Sequence, residues 1–352
     1  MIEVKIGNKI VGDNHPTFII AELGVNHMGD LNLAKKMITK AKEIGADAVK
    51  LQTFRTEDFV SDERIEYQYF EGVNQKRRVK ESMFKMFKRY ELDFETQKKL
   101  FNYARSIGIE IFSTPSFKEG VDFLDEMGVN VFKVGSDDLT NLKLVEYIAK
   151  KGKPVILSTG MSTLGEIEEA LDTVYNTGNR DIILLHCTSL YPAPAEYCNL
   201  RVIESMKRMF DLPVGFSDHT IGTLIPPIAV AMGANVIEKH FTLNKNLPGP
   251  DHWFSADVEE LRKIIADIRL TEKAMGERRK MLYDFEKEAH AAFRRSIVAN
   301  CDIPKGSIIK EDMIHFKRPG SGLPPKFEKY VVGRIAKVDI KENEQITFDK
   351  IS

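Results

Sequence analysis

Eight short, apolar, β-rich runs alternate with helix-like segments along most of this chain, and that alternation limits the fold more than any other feature. The runs are Phe18–Glu22, Ala48–Gln52, Ile109–Ser113, Val131–Gly135, Val155–Ser158, Ile182–His186, Pro213–Ser217 and Asn235–Lys239. Runs of this length with little polar alternation read as strands buried on both faces, which is the condition of a parallel sheet. Leu31–Ile44 has apolar residues at helical spacing, and Ser162-Thr-Leu-Gly-Glu166 opens another helix with hydroxyls placed for an N-cap. The apolar stretch from Gly222 to Gly233 is long enough to be the helix that joins the last two strands as neighbours. Eight βα units over about 250 residues are what a (β/α)8 TIM barrel requires, and an open doubly wound sheet needs fewer. The expectation is therefore an α/β barrel.

The 352 residues exceed what one barrel needs. Residues 1–275 are assigned to the barrel, 276–292 to a charged linker, and 293–352 to a Gly/Pro-punctuated, β-rich tail. That tail repeats itself. Asp302, Ile303, Ile309, Asp312 and Ile314 recur as Asp339, Ile340, Ile346, Asp349 and Ile351, which predicts a small pseudo-symmetric β domain. Between the second and third strands, Thr53–Leu92 is a charged, aromatic insertion, expected to be either a solvated helical excursion or a cover over the substrate.

Charge excludes some partners. Lys and Arg number 51 against 52 Asp and Glu, a net charge of -1, which offers nothing to nucleic acid or an anionic membrane. The start has no apolar signal region, and no run approaches the ~18 apolar residues of a spanning helix, so a cytoplasmic protein is expected. The three cysteines, Cys187, Cys198 and Cys301, lack zinc-site spacing and fit a reducing compartment.

Active sites of barrels form at the C-terminal ends of the strands, and those ends are polar here. They present Glu22, Asn26 and His27; Lys50 and Gln52; Ser113 and Thr114; Lys133 and Ser136; Ser158 and Thr159; His186, Ser189 and Tyr191; Ser217 and His219; Lys239 and His240. Lysines within buried strands need an anion or act as Schiff-base nucleophiles. Lys50 and Lys133, with Ser136, Ser158 and Ser217, suit a small phosphorylated carboxylate. His219 and His240 end adjacent strands, which favours a divalent metal with an open coordination sphere. Glu22 adds a carboxylate, and Gly249-Pro-Asp251-His252 places another carboxylate and a third imidazole on a loop over the same edge.

Taken in order, Ala21-Glu-Leu-Gly-Val-Asn-His, Val49-Lys-Leu-Gln, Phe132-Lys-Val-Gly-Ser, Ser158-Thr-Gly-Met, His186-Cys-Thr-Ser-Leu-Tyr-Pro, Gly215-Phe-Ser-Asp-His-Thr, Glu238-Lys-His-Phe-Thr and Gly249-Pro-Asp-His resemble the sialic acid (nonulosonic acid) synthases. The tail, with Lys317-Arg-Pro-Gly320, resembles their antifreeze-like (SAF) domain. The resemblance covers essentially the whole chain. It implies condensation of phosphoenolpyruvate with an N-acetylated hexose, N-acetylmannosamine or a 2,4-diacetamido analogue, with release of phosphate. It also implies that Lys50, Lys133, Ser136, Ser158, Ser189, Ser217 and His240 surround phosphoenolpyruvate and that His219 and His240 hold Mn²⁺ or Mg²⁺. By the same resemblance Glu22, Gln52, Tyr191 and Asp251 contact the sugar, and Arg318 reaches in from the other subunit of a domain-swapped homodimer. Several bacterial N-acetylneuraminate synthases carry Asn where this chain has Ser189, and Asp137-Asp138 varies across the family. Both departures bear on the sugar rather than on the reaction class.

Two competing expectations come from other chemistry. A metal-independent aldolase would use Lys50 or Lys133 as a Schiff base in the same fold. A non-catalytic ice- or glycan-binding tail leaves the polar ring without a purpose.

Overall fold

The computed structural model describes residues 2–73, 75–277 and 279–352. Residues 1–276 and 277–352 form two compact units. In the first, eight parallel strands form one sheet: β1 (Phe18–Glu22), β2 (Ala48–Thr53), β3 (Glu110–Pro115), β4 (Phe132–Val134), β5 (Val155–Ser158), β6 (Ile182–Cys187), β7 (Val214–Asp218) and β8 (Val236–His240). Hydrogen-bonded order is β3-β2-β1-β8-β7-β6-β5-β4, and β3 packs beside β4. The curled sheet thus returns on itself as the expected barrel. Each strand start and end lies within two residues of the apolar run that predicts it, because burial on both faces selects those residues.

The barrel helices are α1 (Leu31–Glu43), α2 (Phe94–Ile107), α3 (Lys118–Glu126), α4 (Leu142–Ala149), α5 (Leu164–Asn176), α6 (Arg201–Phe210), α7 (Ile225–Ala231) and α8 (Val258–Met275). Helix α1 buries Ala34, Met37, Ile38 and Ala41, one stripe at helical spacing, and Asp30 caps it by accepting from the Asn32 and Leu33 amides at 2.7 and 3.0 Å. Thr163 and Glu166 form the capping box that starts α5. Helix α7 is shorter than the Gly222–Gly233 stretch suggests, since Pro226 and Pro227 are confined to its first turn and the residues before Ile225 stay irregular.

The insertion after β2 departs from the helical-excursion expectation. It is a β-hairpin, Glu66–Glu71 against Arg77–Ser82, between short helices Thr56–Phe59 and Met83–Tyr90. Alternating Tyr67, Tyr69 and Val79 favour strand pairing, and Val25, Phe54, Tyr69, Met86 and Tyr90 form a small core beneath it.

In the second unit, β9 (Ser296–Ala299) pairs antiparallel with β10 (Ile314–Lys317) over a core of Ile297, Ile303, Ile309, Val331, Ile340 and Ile346. The sequence repeat is a structural one. Ile303 and Ile340 bridge each other, Asp339 accepts from the Lys305 amide at 2.7 Å, and Asp302 accepts from the equivalent Glu342 amide at 2.9 Å. No helix among the described residues is long and apolar enough to cross a membrane.

Candidate active site

Side chains alternate across a strand, so each strand end sends one residue into the barrel mouth and its neighbours toward the helices. The inward set surrounds a cavity of about 520 Å³. Glu22, Lys50, Gln52, Lys133, Ser136, Ser158, Ser189, Tyr191, Ser217, His219 and His240 all line it. Sequence reading also lists outward groups. Ser113 bonds Thr53 at 2.7 Å, and Thr53 donates to Gln97 of α2 at 2.6 Å. His186 bonds the Cys198 carbonyl through Nε2 at 2.7 Å. Lys239 is buried on the helix side against Asp218. His27 and His252 are buried outside the cavity wall, both held neutral by burial with pKa values lowered to about 4.

Two lysines and two glutamates make the floor. Lys50 Nζ lies 2.9 Å from Glu22 Oε2, donates to Thr114 Oγ1 at 3.1 Å, and stands 3.8 Å from Glu238 Oε1. Gln52 donates to Glu22 Oε1 at 3.0 Å. Burial disfavours the Lys50 ammonium, but Glu22 and Glu238 outweigh it and hold its pKa above the usual value. Burial pushes the Glu22 carboxyl up, and the Glu238 charge adds to this against Lys50. Burial acts on Glu238 the same way, yet Lys50 and Lys133 overcome it and keep Glu238 ionised. Lys133 donates to Ser158 Oγ at 2.6 Å and to the Val134 carbonyl at 2.8 Å, and burial pulls its pKa down.

Beside Lys133 is a cluster of small donors. The Gly160 amide donates to Ser136 Oγ at 3.0 Å, and Ser136 Oγ is 3.1 Å from Cys187 Sγ. A Cβ on Gly160 would stand 2.3 Å from Ser189 Oγ and 2.6 Å from Cys187 Sγ, so only glycine lets these groups converge. Ser189 Oγ and Glu238 Oε2 are buried without a hydrogen-bond partner on residues that line the cavity, as expected of groups that await a polar ligand.

His219 and His240 face each other with ring centroids 5.6 Å apart. His219 Nδ1 bonds the Thr188 carbonyl at 2.8 Å, so Nδ1 carries the proton and Nε2 keeps its lone pair. Burial lowers both pKa values, His240 the further because His219 and Lys50 lie nearby. Neutral imidazoles with a free nitrogen are the ligand form for a divalent metal. Among the described residues no three His, Cys, Asp or Glu side chains gather as a metal cage, so a metal held by these two imidazoles would have to take its remaining ligands from water and substrate oxygens. Asp251 Oδ2 is 3.6 Å from His240 Nδ1, behind the wall rather than on it, and burial together with Glu22 raises its pKa to about 7.

The rim is aromatic and acidic. Phe54, Phe59, Tyr67, Met83 and Phe87 of the insertion line the cavity, with the Phe87 ring 5.4 Å from Phe54 and 5.1 Å from Phe59. Tyr191 lies over His219 with centroids 4.2 Å apart. Asp137 and Asp138 complete the wall. Arg318, in the second unit, donates from Nε to the Phe293 carbonyl at 3.0 Å and lies over that residue's ring.

Sequence reading misses Glu238, Thr114's contact with Lys50, and Cys187. Strand alternation from His240 would have turned Glu238 inward; Cys187 has no such signal beyond its place after outward His186.

A parallel barrel whose C-terminal mouth gathers buried lysines, carboxylates and imidazoles has the architecture of a TIM-barrel enzyme. Residues 37–280 match the NeuB family and residues 294–352 match the SAF domain. The chain belongs to the NeuB family. It is 47% identical over 351 residues to an uncharacterised protein of Methanocaldococcus jannaschii, covering 100% of this chain and 99% of that one. It is 45% identical over 334 residues to the N,N'-diacetyllegionaminic acid synthase of Campylobacter jejuni, covering 94% and 98%. A crystal structure of the N-acetylneuraminic acid (sialic acid) synthetase of Leptospira borgpetersenii superimposes with a TM-score of 0.74 at 34% identity, covering 82% of this chain and 95% of that one.

Proposed function

We propose that the protein condenses phosphoenolpyruvate with an open-chain N-acetylated hexose to give a nonulosonic acid and phosphate. A 2,4-diacetamido hexose is the preferred acceptor, a choice supported by the 45% identity to the Campylobacter synthase. The observation that carries the reading is the placement of two buried lysines and the hydroxyls of Ser136 and Ser189 beside two neutral imidazoles, in one cavity with Glu22 and Glu238.

Lys50 and Lys133 neutralise phosphoenolpyruvate while Ser136, Ser158, Ser189 and Ser217 donate to its oxygens. Glu22, Gln52 and Tyr191 orient the sugar, and Asp251, behind the wall, acts on it through His240. His219 and His240 would hold Mn²⁺ or Mg²⁺, which when bound supplies Lewis-acid polarisation of the aldehyde oxygen. The π electrons of the enol then form a bond from C3 to the aldehyde carbon, the aldehyde C=O π pair moves onto its oxygen as an alkoxide, and positive character develops at C2 within reach of the Glu22 and Glu238 carboxylates. Ionised Glu238, with one oxygen unpartnered, takes the proton of the water that adds at C2. Breakage of the C2–O bond releases phosphate, whose charge Lys50 and Lys133 balance; the C2 hydroxyl passes its proton to the departing phosphate as the ketone forms, and the proton held by Glu238 goes to the alkoxide left by the aldehyde. A domain-swapped dimer in which Arg318 of a second copy holds the sugar amide belongs to the same proposal. Mixing Arg318→Ala with His240→Ala subunits should then recover activity.

Phosphate release against a panel of N-acetylated and 2,4-diacetamido hexoses tests the reading, with chelator as control. Lys133, whose pKa burial lowers, favours one rival, a Schiff-base aldolase. Borohydride with a keto-acid substrate would trap that intermediate on Lys133, and a synthase leaves the lysine unmodified.

A further inference from the structure

Of the buried groups that substrate does not reach, Lys239 and Asp218 have the most informative position. They are register partners on β8 and β7, with side chains only 1% and 0% exposed. Both point outward into the helix-facing layer, where their own strands otherwise present Val214, Phe216 and Ile237. Lys239 Nζ lies 2.7 Å from Asp218 Oδ2 and also donates to the Thr220 carbonyl. Asp218 Oδ1 accepts from the Thr220 amide at 2.9 Å.

The connectivity gives the pair its consequence. Lys239 is bound to both residues that flank His219, and it is itself the residue before His240. One ammonium therefore joins the two strand ends that carry the paired imidazoles. His219 has further anchors at its Nδ1 and at its carbonyl, which accepts from the Ala193 amide at 3.0 Å, so the β7 turn is held on several sides. A buried ion pair in an apolar layer gains little net stability over well-packed apolar side chains. Its directed hydrogen bonds, by contrast, fix backbone geometry.

We propose that Lys239 and Asp218 are positioning residues that set the separation and tilt of the His219 and His240 rings and thereby the affinity for a divalent cation. This rests on the metal reading above. Outer partners that orient ligand-bearing segments typically govern about 10–100-fold of metal affinity.

The test is calorimetric titration of metal-free protein with Mn²⁺ alone, for wild type, His219→Ala, Lys239→Met and the charge-free double variant Asp218→Asn/Lys239→Met. The double variant avoids leaving one buried charge unpaired. Wild type should bind and His219→Ala should not; both clamp variants should bind about 10–100-fold more weakly while retaining both imidazoles. Phosphoenolpyruvate binding to the metal-free proteins, which depends on Lys50 and Lys133, should stay within about twofold, showing the cavity floor to be intact. Wild type that fails to bind Mn²⁺ removes the metal reading, and the clamp with it. Wild type that binds, alongside folded clamp variants of equal affinity, overturns the clamp alone. A lowered melting temperature with unchanged Mn²⁺ affinity overturns it too, because the pair would then serve only stability.

Discussion

Lys50 Nζ and Glu22 Oε2 are 2.9 Å apart at the floor of the barrel mouth, where both side chains are buried. The pair is not a closed one, because Glu238 stands 3.8 Å from the same ammonium. Glu22→Gln keeps the shape and the Gln52 contact but removes a carboxylate from beside the developing positive charge. The variant should fold and lose about 10²–10³-fold in kcat, the scale of one electrostatic group acting in the transition state. Steady-state phosphate release measures it, and a kcat within threefold of wild type would exclude Glu22 from the reaction.

Lys133 offers the complementary change. Removing one of two cations set against a phosphorylated carboxylate should cost roughly 2–4 kcal/mol of transition-state stabilisation. Lys133→Met should therefore be severely impaired in kcat/KM for phosphoenolpyruvate. An unchanged value would mean that the Ser158 contact is purely structural.

Asp251 couples function to stability. Its folded pKa of about 7 lies above the ordinary carboxyl value, so folding takes up a proton between about pH 4 and pH 7 and stability falls as pH rises through that window. Asp251→Asn removes the penalty. Relative to wild type, its melting temperature should climb as pH rises from about 4 to 7, with a gain on the order of 4 kcal/mol at the upper end. The same variant should raise KM for the sugar. A stability difference that does not vary with pH would show that Asp251 carries no such strain.

The insertion's aromatics should act on substrate capture. Phe87 joins Phe54 and Phe59 at the rim, so Phe87→Ala opens the cavity edge to water. A rise of about tenfold in sugar KM with a smaller change in kcat is expected for a residue that binds ground and transition states alike. A loss of melting temperature alone would reduce the hairpin to packing.

Much of this site can be read from sequence because of one regularity. A strand buried on both faces announces itself as an apolar run, and in a barrel its last residues must reach the active face. That logic finds Lys50, Lys133, His219 and His240 without a structure. It does not say which of two adjacent polar residues turns inward. Lys239 and His186 therefore read as mouth residues although they face the helices, and Glu238 goes unnoticed although it faces Lys50. The hairpin in the insertion is hidden for a different reason. Its strands are charged and depend on the small core around Tyr69, Met86 and Tyr90, a tertiary cause that local pattern cannot express.

The central claim is that phosphoenolpyruvate loses its phosphate by carbon–oxygen cleavage after water adds at C2. Phosphoenolpyruvate carrying heavy oxygen in the bond between C2 and phosphorus, turned over with a 2,4-diacetamido hexose and read by mass spectrometry, tests this directly. The account predicts that all label leaves in inorganic phosphate and that the new keto acid takes its C2 oxygen from water. Label retained in the keto acid, or turnover from pyruvate without phosphate release, would contradict it.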